Sequence, residues 1–203
     1  MLDESVAAER SGRKPRHYDL TMAPTPGGEP DSYHEGFNEP LFRTVPATAT
    51  TIVEVGCANG RLGAELKRGR PDRTVIGVEG DPTAATVART RLDDVLELDL
   101  DRALPPIAPG SVDWVLFGDV IEHLRDPLPL LQASRSWLSP GGSIACSIPN
   151  AAHHSVLLQL LRGDFQYQPA GILDQTHVRF YTYATILKLL LEAGFAPDIA
   201  DII

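Results

Sequence analysis

From about residue 31 to residue 148, short apolar runs alternate with segments whose apolar positions recur at helical spacing. Thr51-Ile52-Val53-Glu54-Val55, Thr74-Val75-Ile76-Gly77-Val78 and Val95-Leu96-Glu97-Leu98 read as the first three strands. Val112-Asp113-Trp114-Val115-Leu116-Phe117 and Ser143-Ile144-Ala145-Cys146-Ser147-Ile148 read as the fourth and fifth, and Ala196 to Ile203 as a sixth. Helices fill the gaps. One runs from about Arg61 to Arg68, and one is capped by Asp81 with Pro82 at its first position and reaches about Leu92. Asp126-Pro127 repeats that device before a helix ending near Leu138. Thr182 caps the last helix, with Ile186, Leu189, Leu190 and Ala193 on its apolar side and Gly194 at its end. The alternation predicts an α/β fold, a mostly parallel sheet with helices on both faces.

The remaining stretches set the domain boundaries. Residues 1–30 mix charges with Pro24, Pro26, Gly27, Gly28 and Pro30 and show no hydrophobic period, which reads as a flexible leader. Residues 31–203 read as one domain, and 203 residues suit a full-sized core. Between strand five and the last helix, residues 149–181 form a connection much longer than the usual 2–6 or so residues. They read as a cap over the substrate, with a helix from Ser155 to Arg162 packed by Leu157, Leu158, Leu160 and Leu161.

Composition narrows the function classes. No apolar run approaches the roughly 20 residues of a membrane span, and Met1 to Arg16 has no apolar signal-peptide centre, so a cytoplasmic protein without a membrane partner is the expectation. A net charge of −9 argues against gripping a nucleic-acid backbone. The two cysteines, Cys57 and Cys146, have neither metal spacing nor a disulfide framework.

Chemistry concentrates at the carboxyl ends of the strands, where ligands bind in such sheets. After strand one comes Glu54-Val55-Gly56-Cys57-Ala58-Asn59-Gly60, whose small residues allow a sharp turn and close backbone approach to a ligand. It matches the dinucleotide fingerprint Gly-x-Gly-x-x-Gly poorly. Glu79, followed by Gly80, ends strand two and suits the two hydroxyls of a ribose. Asp99, just past strand three, suits an adenine amino group.

As a set these segments resemble class I methyltransferases that use S-adenosylmethionine (SAM), in particular a bacterial group akin to the ubiquinone-pathway O-methyltransferases and found with glycosyltransferases. The loop Val53 to Gly60 resembles their first motif, with Ala58 where a glycine is usual. Glu79 matches the ribose acid, Asp99-Leu100 the adenine pair, and Phe117-Gly118-Asp119-Val120-Ile121-Glu122-His123-Leu124 the fourth-strand motif. Leu138-Ser139-Pro140-Gly141-Gly142 resembles the turn before strand five, and Gly171 to Thr182 a segment of the narrower subgroup. The resemblance implies SAM as cofactor, S-adenosylhomocysteine as product, and Glu54, Gly56, Cys57, Ala58, Gly60, Glu79, Gly80, Asp99, Leu100, Gly118 and Asp119 as its binding residues. It also implies seven strands, of which the seventh has no counterpart here.

Methyl transfer from a sulfonium is largely alignment, and an alcohol or phenol acceptor adds the need for a base. His154 and His177 in the expected cap, and His123 after strand four, are the candidate bases. His153, Tyr167, Arg179 and Tyr181 are the candidate substrate contacts. In the relatives the fourth motif is linked to a divalent ion, which singles out Asp119, Glu122 and His123; the reading adopted is a cofactor pocket that needs no metal. The expected function is methylation of a hydroxyl on a small molecule, sugar or natural product. A noncatalytic SAM-binding partner subunit and a protein or RNA methyltransferase are the alternatives.

Overall fold

The structure is a computed structural model, and residues 37–197 are described. The expected leader, and all but the first two residues of the expected sixth strand, lie outside them. Among the described residues five strands form one sheet: β1 (Thr51–Val55), β2 (Thr74–Glu79), β3 (Asp94–Glu97), β4 (Val112–Gly118) and β5 (Leu138–Ser147). Their spatial order is β3-β2-β1-β4-β5 and every pairing is parallel. The order reverses between β1 and β4, so the chain ends of these two strands diverge and leave a crevice at their carboxyl edge.

Side-chain alternation distributes the core to two faces. Ile52, Val75 and Leu116 point to one side, where α2 (Arg61–Gly69) and α3 (Pro82–Ala88) cover them with Leu62, Leu66, Ala85 and Ala88. A short α1 (Glu39–Thr44), which the sequence pattern does not announce, adds Leu41 to this layer; Asn38 caps it through the Leu41 amide. Val53, Val55, Val115 and Phe117 point to the other side, against Leu130, Leu131 and Trp137 of α4 (Leu128–Trp137). Helix α5 (His154–Leu161) follows β5, and Ile186, Leu189 and Leu190 of α6 (Tyr183–Glu192) pack onto the second layer, half-buried.

The capping devices form as their chemistry dictates. Asp81 accepts the Ala84 amide at 2.7 Å with Pro82 in the first turn of α3. Thr182 and Thr185 form a reciprocal capping box at α6. The helix α3 stops at Ala88, four residues before the expected end. β5 begins five residues earlier than expected: Leu138 pairs Val112, then Ser139 to Gly142 loop out before Ser143 pairs Trp114. The expected turn is therefore a bulge inside the strand, with Gly141 at φ +85°.

The segment after β5 corrects one expectation. Its helix α5 forms, but it is held by Val156. Leu157, Leu158, Leu160 and Leu161 stay 46%, 46%, 50% and 83% exposed, so these leucines do not pack the segment down. The segment returns to the sheet instead through backbone: Ala151 donates to the Tyr181 carbonyl at 2.7 Å, and Asn150 bridges Tyr181.

Candidate functional site

A cavity of about 600 Å³ opens at the β1/β4 crevice, within the range of small-molecule sites. Its floor is the turn after β1. Gly56 takes φ +68° there, and a Cβ on it would sit 2.3 Å from Val120 Cγ2, so only glycine fits. Ala58 also adopts a left-handed conformation, φ +46°, which a side chain tolerates only when the surroundings hold it. What holds it is Glu79. One carboxylate oxygen of Glu79 accepts the Ala58 amide at 2.8 Å, and the other accepts the Gly80 and Asp81 amides at 2.9 Å each.

The wall is acidic. Glu79, Asp81, Asp99, Asp101, Asp119 and Asp174 line it, and no lysine or arginine among the described residues does. Asp119 sits at φ +52° past β4, donates its amide to the Ser147 carbonyl and accepts the Ser147 hydroxyl at 3.2 Å. Burial raises its carboxyl above the usual range against those hydrogen bonds and the nearby histidines. Leu98 and Leu100 supply apolar surface beside Asp99. The far end is closed by His123, Pro169, Asp174 and Thr176.

The structure sorts the expected residues. Gly56, Ala58, Glu79, Gly80, Asp99, Leu100, Gly118 and Asp119 line the cavity, as does His123. Glu54, Cys57 and Gly60 do not. Glu54 points behind the turn, where it accepts the Gly63 amide at 2.9 Å and anchors the start of α2; burial first, with the Glu79 charge adding to it, pushes its carboxyl up to about 8 despite that bond. Cys57 faces the core against Gly77, and burial pushes its thiol well above the ordinary range. Gly60 lies against Ala88 and Leu92.

The histidines separate as well. His153 spends its ring nitrogen on Ser155 at the start of α5, and His154 stacks on it, exposed and away from the cavity wall. His177 is 8% exposed, with Nδ1 3.1 Å from the Ile172 carbonyl and Nε2 3.9 Å from Glu122. Arg179 bonds the Leu124 and Arg125 carbonyls. Arg179 and Tyr181 line a second cavity, of about 340 Å³, between Asp126 and α6. Tyr167 packs with Phe165 and Phe180, outside both cavity walls.

The wall also holds residues not expected in the site: Pro169 and Thr176 from the segment after β5, and Asp81 and Asp101 just past β2 and β3. The Asp174-x-Thr176 spacing is a usable signal, because it is the pattern of a side-chain-capped turn.

The acid–histidine set named for a metal is not assembled as named. Glu122 groups with His123 and His177, their ligand atoms within 4.8 Å of one another, while Asp119 belongs to the cavity wall. Glu122 and His177 are buried behind that wall; burial pushes the Glu122 carboxyl up to about 8, and its two oxygens have no hydrogen-bond partner among the described residues. An ion in this cluster would sit with one acid and two imidazoles, and would occupy the ring of His123 that lines the cavity.

A SAM-shaped demand fits what is present. The left-handed glycine turn admits a ligand to the backbone, Glu79 and Asp99 stand at successive strand ends, and the acidic wall complements a ligand bearing a net positive charge. Sheet order, switch-point cavity and acids are those of a class I SAM-dependent methyltransferase fold. Residues 26–198 match the family model described as a methyltransferase domain, and the chain belongs to that family. Similar proteins include the ubiquinone biosynthesis O-methyltransferases of Cereibacter sphaeroides (28% identical, covering 79% of this chain and 66% of the relative) and Dinoroseobacter shibae (30%, 75% and 62%). The chain thus spans about two thirds of the length of the curated relatives it matches. Among solved structures, SAM-dependent methyltransferases from Archaeoglobus fulgidus and Aquifex aeolicus superpose with TM-scores of 0.61 and 0.58. They share 20% and 15% identity and cover 82% of this chain, against 72% and 83% of their own. Among the described residues no helix is long and apolar enough to cross a membrane.

Proposed function

We propose that the chain binds SAM and methylates a hydroxyl of an uncharged small molecule or sugar, with His123 taking the hydroxyl proton. The observation that carries this reading is one cavity with Glu79 and Asp99 at its strand ends and, among the described residues, a single histidine, His123, in its wall. When bound, SAM supplies a methyl group already activated by its sulfonium. The chain's own residues do the rest. Gly56 and Ala58 offer backbone to the methionine part, Glu79 turns its one remaining lone pair, on the oxygen that holds Ala58, to the ribose, and Asp99 between Leu98 and Leu100 meets the adenine. His123 stands among Asp119, Asp174 and Thr176, within reach of an acceptor brought in under the cap.

The acidic wall also selects. With six carboxylates and, among the described residues, no cationic side chain around the cavity, a phosphorylated or carboxylated acceptor would bring its anion into a repulsive field. Uncharged alcohols, phenols and glycans avoid that cost.

The test is incubation of the full chain with SAM and a panel of neutral and anionic hydroxylated acceptors, read by mass spectrometry. Methylated neutral acceptors support the reading. SAM binding without transfer to any of them favours a noncatalytic partner subunit, and salt-sensitive RNA binding favours a macromolecular substrate.

A further inference from the structure

The cap meets the cavity through one tight turn. Asp174 Oδ1 accepts both the Thr176 amide at 2.7 Å and the Thr176 hydroxyl at 2.6 Å. The turn is clamped on both sides of His123. The Val178 and Arg179 amides each donate to the Glu122 carbonyl at 3.0 Å, and the Arg179 guanidinium holds the Leu124 and Arg125 carbonyls. His123 Nδ1 then lies 3.2 Å from the Thr176 carbonyl oxygen and 3.3 Å from Thr176 Oγ1.

Donor and acceptor accounting fixes what that contact means. A carbonyl oxygen only accepts. The single hydroxyl proton of Thr176 is committed to Asp174 over the shorter distance, so towards His123 this hydroxyl also only accepts. Both neighbours of Nδ1 therefore require a proton on Nδ1. A neutral imidazole with its proton on Nδ1 has a bare lone pair on Nε2.

We propose that Asp174 and Thr176 are positioning residues that hold His123 as the Nδ1–H tautomer and so present Nε2 as the acceptor of the substrate proton. This rests on the reading of His123 as the base. Asp174 is suited to holding the turn. Burial acts against its charge, but the Thr176 hydrogen bonds outweigh burial and keep its carboxyl below the ordinary value. It remains an acceptor for the Thr176 hydroxyl across the working range. Without Asp174 the hydroxyl is free to rotate and donate to Nδ1, and the opposite tautomer becomes available.

The experiment uses the full chain with 15N-labelled histidine, saturated with S-adenosylhomocysteine at about pH 8, where an ordinary histidine is neutral. Long-range proton–nitrogen correlation reads the tautomer, and the His123→Gln variant assigns the ring. The expected wild-type spectrum has protonated Nδ1 and bare Nε2. Thr176→Val or Asp174→Ala should shift the ring towards the Nε2–H form or a mixture, and Thr176→Ser should restore it. With a methylated acceptor in hand, Thr176→Val at saturating SAM should lower kcat on the order of tenfold or more, again restored by serine. An Nε2–H ring in the wild type, or an Nδ1–H ring that survives both substitutions, overturns the proposal. A tautomer that shifts with no change in kcat overturns its catalytic half. If no hydroxyl is ever methylated, the functional reading fails while the spectrum still decides whether Thr176 sets the ring.

Discussion

Glu79 and Ala58 are one unit: the carboxylate that faces the cavity is the same group that holds the Ala58 amide at 2.8 Å and with it the left-handed turn of the loop. Ligand recognition at β2 and loop conformation after β1 are therefore not separable functions.

The first prediction follows from that unit. Glu79→Ala strands three backbone donors as well as removing the proposed ribose acceptor. SAM affinity should fall, and unfolding free energy should fall with it, each by about 1–3 kcal/mol. Calorimetry and denaturant unfolding measure the two. Lost affinity at full stability would separate the ligand role of Glu79 from its loop role.

The second concerns pH. Glu54 ionises near 4.5 in the unfolded chain but near 8 in the fold, so the folded chain keeps a proton that the unfolded chain has released. Its contribution is complete below 4.5 and is lost as pH rises towards 8. Glu54→Gln keeps an acceptor for the Gly63 amide and removes the titration. The fall in stability between about pH 5 and 8 should flatten by on the order of 1 kcal/mol or more, seen in unfolding curves across that range.

The third separates the histidines. His123→Ala should cost about 10²–10⁴-fold in turnover at saturating SAM. His154→Ala, at an exposed ring outside the cavity wall, should leave turnover within about twofold of wild type. His177→Ala should instead lower thermal stability, because it removes a buried ring tied to the Ile172 carbonyl. A large turnover loss in His154→Ala would return the base to the cap helix.

The fourth tests packing behind the site. A Cβ on Gly77 would lie 2.6 Å from Cys57 Sγ and 2.8 Å from Leu92 Cδ1. Gly77→Ala should destabilise by about 1–3 kcal/mol, and adding Cys57→Ala should recover part of that by removing the sulfur. A neutral single variant would show this core to be looser than its contacts imply.

The fifth concerns metal. Exhaustive chelation should leave methyl transfer intact, since Glu122 and His177 stand behind the cavity wall. A loss restored by a single divalent ion would promote the Glu122, His123 and His177 cluster to a working site.

The strands and the cavity floor were legible because they follow from strong local rules. Ile52, Val53 and Val55 can only be a covered strand, and Glu79 or Asp99 at a strand end can only face the carboxyl edge. What sequence could not separate was which small residue faces the ligand and which faces the core: Gly56 and Ala58 line the cavity, Cys57 between them turns away. The cap was harder, because irregular backbone has no period to read. His153 and His154 look like a site in sequence, yet His153 serves its own helix start. Arg179 reads as a substrate contact, yet takes two carbonyls. Polar side chains in loops are often spent on the backbone nearby, and that use leaves no sequence mark distinct from chemistry.

The clamp between Glu122 and the Val178 and Arg179 amides has a thermodynamic corollary. Residues Val120, His123 and Leu124 line the cavity, and the segment proposed as the cap is fastened across the same short turn. A ligand that steadies this turn lowers the opening of the cap, and an acceptor that steadies the cap must strengthen cofactor binding by an equal factor. Slowed amide exchange at Val178 and Arg179 on adding cofactor alone would be the measure of that reciprocity. Its size sets whether the two substrates arrive independently or in a preferred order.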